Sequence, residues 1–87
     1  MAGEIWTNGG NTELEAWVAG QSRRVIVRRE AIDGYLRSHP NEGAAMSAAD
    51  RREFVRLHLR EIIEAANRKL AATSETAHIV KIESGEL

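Results

Sequence analysis

Residues 15–30 read EAWVAGQSRRVIVRRE, and the way the two halves of this stretch pair decides which side chains of the sheet face inward. Val25-Ile26-Val27 is a β-branched run that favours a pleated strand, and the strand it belongs to is predicted from Arg24 to Arg28. Thr12 to Ala19 reads as the strand before it, with the turn at Gly20-Gln21-Ser22. A slip of one residue in the pairing would send every side chain to the opposite face. A two-residue loop at Gly20-Gln21 sets Val18 against Arg23 and Glu15 against Ile26, which wastes both partners. A four-residue loop from Gly20 to Arg23 sets Val18 against Val25, Ala16 against Val27, Trp17 against Ile26 and Glu15 against Arg28. Like then meets like and opposite charges pair, so this is the register the sequence predicts. One face carries Leu14, Ala16, Val18, Val25 and Val27, suited to receive a helix. The other carries Trp17 and Ile26, framed by Arg24, Arg28 and Glu15. Arg23, Arg24, Arg28 and Arg29 divide between two faces, which argues against a single phosphate grip.

Upstream, Ile5-Trp6-Thr7 runs into Asn8-Gly9-Gly10-Asn11, a turn signal because Gly and Asn tolerate positive φ, so a first hairpin precedes the second. Three antiparallel strands result. Downstream, Glu30 to Arg37 changes the period from two to about four, with Ile32, Tyr35 and Leu36 able to share one face of a short helix. Gly34 weakens that helix by about 1 kcal/mol relative to Ala. Ser38 to Met46 holds the one proline and reads as a loop. Ser47-Ala48-Ala49-Asp50 fits a capping box, so a long helix is predicted from Ala48 to Ala71. Val55, Leu59, Ile62, Ala66 and Leu70 form its apolar stripe, flanked by Phe54 and Ile63. Leu57 alone points away. The opposite side carries Glu53, Arg56, Arg60, Glu61, Glu64 and Arg68, a solvated face with oppositely charged residues four apart. A polar linker at 72–77 leads to the alternating run His78 to Glu83, a last strand. The order β-β-β-α-α-β predicts a single α+β domain over residues 1–87: a small antiparallel sheet with one long amphipathic helix packed on one face.

Composition narrows the chemistry. With 12 Lys and Arg against 13 Asp and Glu, there is no long-range field to draw in a polyanion. Cysteine is absent, which removes disulfides, thiolate zinc sites and cysteine nucleophiles. The start MAGEIWTNGG is acidic and lacks the apolar run of a signal peptide, and no stretch approaches the length of a membrane span, so a cytoplasmic location is expected.

The segments VIVRREAIDGYL (Val25 to Leu36), EFVRLHLREIIEAANRKL (Glu53 to Leu70) and HIVKIESGEL (His78 to Leu87) resemble a family of small uncharacterised bacterial proteins, domain of unknown function fourteen eighty-eight. There a hairpin strand leads into a short helix, a longer helix and a terminal strand. The likeness is one of apolar pattern and element order, and this chain has Ala16 or Val18 where the family usually shows an aromatic strand residue. The resemblance implies an α+β fold and carries no active site onto this sequence.

No catalytic, cofactor-binding or metal-binding residue is predicted. His58 and Glu61 are three apart on the long helix, a spacing that can supply two metal ligands, but no second pair completes a site. His58 is expected as a partly buried structural histidine, and His39 and His78 have no partner that suggests activation. The glycines form no phosphate-binding pattern. Trp and Arg are the residues most enriched at binding hot spots, so Trp17, Arg24, Ile26 and Arg28 are the candidate binding residues. They point to a non-enzymatic protein-interaction or regulatory module whose partner is another protein or a second copy of itself. An alternative is weak single-stranded nucleic-acid binding, with Trp17 stacking a base between arginines. The plain structural alternative is that the first strand, with Ile5 or Trp6, or the short helix folds over this face and buries Trp17 as core.

Overall fold

The computed structural model describes residues 2–44, 47–72 and 78–87. Strands β1 (Ala2–Asn8), β2 (Asn11–Val18) and β3 (Gln21–Val27) are followed by helices α1 (Arg29–Ser38), α2 (Ala48–Leu57) and α3 (Leu59–Ala72) and by strand β4 (Ile79–Ile82), with a short 3-10 turn at Pro40–Glu42. Most of the loop predicted over 38–46 is seen, but Ala45 and Met46 lie outside the described residues, as do 73–77 of the predicted linker.

The α+β expectation holds, with two corrections to its architecture. The sheet runs in the order β1-β2-β3-β4 and is mixed: the first three strands are antiparallel, but β4 lies parallel to β3, pairing Val25 with Val80 and Val27 with Ile82. A parallel neighbour needs a crossover connection, and the helices supply it. The single long helix is broken at His58, so three helices stand where two were predicted. Ser47 caps α2 as expected, its Oγ accepting from the Asp50 N–H at 3.1 Å. His58 sits at φ −109°, ψ 24°, with its ring bonded to the Phe54 carbonyl at 3.0 Å. The backbone bonds around it survive, His58 N–H to the Phe54 carbonyl at 2.9 Å and Ile62 N–H to the His58 carbonyl at 3.0 Å, so the break is a local distortion of φ and ψ and the ring bond to the Phe54 carbonyl is an additional one.

The predicted register of the second hairpin is also corrected. The turn is Ala19-Gly20, and Val18 pairs with Gln21, Ala16 with Arg23, Glu15 with Arg24 and Leu14 with Val25. Both turn residues have positive φ, 51° at Ala19 and 87° at Gly20, the signature of a primed two-residue turn whose twist matches that of the strands. Ala rarely adopts this conformation, so the sequence conceals the turn. Leu14 now meets the apolar Val25 and Glu15 still meets an arginine, with the ladder extended to the turn. The observed and predicted registers differ by an even number of residues, and so the faces are unchanged.

The inner face carries Leu14, Ala16, Val18, Val25 and Val27, all buried, joined by Val80 and Ile82 of β4. On it lie α2, against β1 and β2, and α3, against β2 and β4. Val55, Ile62, Ala66 and Leu70 are buried as the stripe predicts, with Leu59 and Ile63 packed at its border. Ala31 and Ile32 of α1 complete the core.

Candidate functional site

The outer face of the sheet is open among the described residues. Trp17 is 62% exposed and Ile79 is 51% exposed, so neither β1 nor α1 folds across to bury Trp17. Cross-strand pairing arranges the face in rows. Trp6, Glu13, Ile26 and Lys81 form one row; Glu15, Arg24 and Ile79 form the next; Trp17 and Ser22 form the third. The predicted contact of Trp17 with Ile26 is therefore not made. They stand two rows apart, about 13 Å along the strands at the usual rise, because the register is set by the Ala19-Gly20 turn.

Arg24 is engaged within the chain. Its Nε lies 4.0 Å from Glu13, and its guanidinium carbon lies 5.5 Å from the Trp6 ring centroid. Reaching across β2, the guanidinium and the indole together roof the Glu13 carboxylate, which is only 5% exposed on a face that no helix covers. A carboxylate held this far from water needs such a partner. Arg28 sits beyond the end of β3, 3.8 Å from Glu30 and 3.6 Å from Glu83, tying the start of α1 to the end of β4. Arg23 points inward, 2% exposed, its Nε donating to the Val18 carbonyl at 2.8 Å. Arg29 pairs with Asp33 on α1 at 3.6 Å. The four arginines have four different surroundings, as their division between faces predicts.

Trp6, Glu13, Ile79 and Lys81 also belong to the outer face and were not singled out in the sequence. The signal existed for Ile79 and Lys81, which alternate with Val80 and Ile82, but only the position of β4 beside β3 brings them to the site.

A second polar cluster lies between α1, the 3-10 turn and the end of α2. Tyr35 stacks on His39 at 4.0 Å and Phe54 stacks on His58 at 4.1 Å, and Tyr35 meets Phe54 and His58 edge-on. Both stacked pairs are spaced four apart on a helical turn, where side chains are neighbours. Glu42 joins them: it accepts from the Tyr35 hydroxyl at 3.1 Å and lies 2.9 Å from His58 Nε2. Burial and then the bond to Glu42 push the Tyr35 hydroxyl up. Burial also acts to raise the Glu42 carboxyl, but hydrogen bonds from Tyr35 and His58, with the charges of His58 and His39, hold it below its ordinary value. Both His58 ring nitrogens are thus used internally, and the Tyr35 hydroxyl turns to Glu42. The arrangement acts as a clasp between the 3-10 turn and the α2–α3 junction, consistent with a structural His58. Leu57, 63% exposed, lies beside it, on a shallow groove of about 200 Å³ shared with Leu36 and Phe54.

Among the described residues no three His, Asp or Glu side chains converge to hold a metal, and no helix is long and apolar enough to cross a membrane. Compared with known proteins, the chain matches no family model, no curated protein and no solved structure.

Proposed function

We propose that this chain is a non-enzymatic protein-interaction module that binds through the outer face of its sheet. The observation that carries the reading is the exposure of Trp17 on a face that no helix covers, with Ile79 exposed two strands away. Large apolar side chains held rigidly by a sheet and bordered by charge are the anatomy of a protein interface. Trp17, Arg24 and Ile26 remain its central residues, joined by Trp6, Ile79 and Lys81, whereas Arg28 serves the fold at its margin. In the clasp, Tyr35, Glu42 and His58 spend their polar groups on one another. Glu13 and Glu15 lie in the middle of the face and Arg24 already faces a carboxylate, so the arrangement favours a protein over a nucleic-acid strand.

Iodide quenching of tryptophan fluorescence tests the reading. A Trp6→Phe variant isolates Trp17, which should be readily quenched in dilute protein. Trp17→Ala should leave the helical circular dichroism signal intact. A shielded Trp17 in the dilute monomer, or unfolding on its removal, would show that the face is closed and end the proposal.

A further inference from the structure

The outer face carries its own complement. Glu4, Glu13 and Glu15 lie on β1 and β2, whereas Arg24 and Lys81 lie on β3 and β4. Glu15 and Lys81 are exposed and have no ion pair within the described chain. The shape is divided as well: Trp17 projects from β2, and its neighbour across the strands is the small Ser22 of β3.

From this pattern we infer that the occupant of the outer face is a second copy of the chain, related by a two-fold axis that runs along the strands between β2 and β3. The inference rests on the outer face being the binding surface. Rotation about such an axis lays β2 of one copy on β3 of the other and β1 on β4, with each row meeting itself reversed. Glu15 then faces the partner's Arg24, Trp17 enters the space above the partner's Ser22, and Trp6 lies over the partner's Lys81. Every contact occurs twice, as an isologous interface requires. An axis across the strands through the middle row would instead stack β2 on β2 and oppose Glu15 to Glu15, which the like charges disfavour. Sheets that pack face to face keep their strands within about 30° of each other, which the first axis satisfies.

The size of the face sets the strength. Four strands about 4.8 Å apart and some seven residues long give a footprint of about 450 Å² per copy. That puts the dimer at or below the lower end of specific interfaces, about 1,200 Å² in total, the size of weak and transient associations.

Sedimentation from about 1 µM to about 1 mM, with iodide quenching of the Trp6→Phe chain on the same samples, provides the test. The expected result is a monomer–dimer transition in which Trp17 becomes shielded as dimer forms. Glu15→Arg and Arg24→Glu should each weaken self-association by at least about tenfold, and an equimolar mixture of the two should restore it, because each then offers the charge the other lacks. Arg24 also roofs Glu13, so Arg24→Glu carries a risk to folding that a second measurement avoids. The chain lacks cysteine, and a nitroxide on Asn8→Cys, at the exposed end of β1, can be mixed with isotope-labelled, unmodified chain. Broadening of the partner's amides around Lys81 to Glu83 supports the axis along the strands. Broadening centred on the partner's β1 overturns it. A chain that stays monomeric with Trp17 quenchable throughout refutes the dimer while leaving the open face available to a different protein; shielding of Trp17 already in the dilute monomer removes the face itself.

Discussion

Replacing Ala19 with Asn should make this protein more stable, although Ala19 is exposed and loses no contact on substitution. Ala19 has φ 51° and is followed by Gly20 at φ 87°. An L-residue with a Cβ is disfavoured in this region by about 1–2 kcal/mol, whereas Asn tolerates it and Asn-Gly is the preferred pair for a primed two-residue turn. Recovering about half of that cost gives about 0.5–1 kcal/mol. For a domain of this size 1 kcal/mol moves the unfolding midpoint by about 4–8 °C, so Ala19→Asn should raise it by roughly 2–8 °C in a thermal melt followed by circular dichroism. Gly20→Ala is the matching loss. A Cβ at Gly20 would meet no atom within 4 Å, so its whole effect is backbone strain of about 1–2 kcal/mol, a fall of at least about 4 °C. If Ala19→Asn lowers the midpoint while Gly20→Ala is tolerated, the turn is not at 19–20, and the row assignments on the outer face go with it.

Leu14→Ala, at the fully buried centre of β2, should cost about 2.7–5 kcal/mol by denaturant titration, whereas Trp17→Ala on the opposite face should stay within about 0.5 kcal/mol; similar losses at both sites would mean that both faces are core. Because the Glu42 carboxyl is held below its ordinary value by Tyr35 and His58, its stabilisation is present above the unfolded carboxylate value of about 4.3 and disappears as pH falls through the lower folded value. Melts at decreasing pH should therefore show wild type and Glu42→Gln converging in acid; a gap that does not narrow contradicts the clasp. Gly34→Ala should gain up to about 1 kcal/mol of helix propensity but places a Cβ 3.3 Å from Ser84 Oγ, so adding Ser84→Gly should raise the midpoint beyond Gly34→Ala alone. Equal midpoints would mean that the two segments do not touch.

Much of this fold is readable in local patterns. The capping serine at 47, the apolar stripe from Val55 to Leu70 and the outward Leu57 depend on residues close in sequence, and each appears where the helical period places it. Leu14, Ala16, Val18, Val25 and Val27 share a face because alternation fixes parity whatever the loop length. The features that escaped depend on conformations or partners that no local pattern encodes. Positive φ at an alanine contradicts its propensity. The break at His58 is a change of φ and ψ inside a continuous apolar stripe, and the partner its ring meets there, Glu42, comes from a turn sixteen residues upstream. The candidate site was half legible: Trp17, Arg24 and Ile26 followed from parity, whereas Trp6 required β1 and Lys81 required β4, strands whose neighbours are chosen by the whole sheet.

The parallel pairing of β3 with β4 bears on how the chain assembles. Each of the first two hairpins closes over two residues, a search completed in microseconds. Val25 and Val27, by contrast, wait for Val80 and Ile82, and the entropy of closing so long a loop must be overcome before that pairing yields any stabilisation. During this interval the hydrogen-bonding edge of β3 is bare, and the apolar residues that line it can recruit any extended segment within reach. Residues 79–82 therefore act as the lock of the sheet, since their docking is what covers the β3 edge.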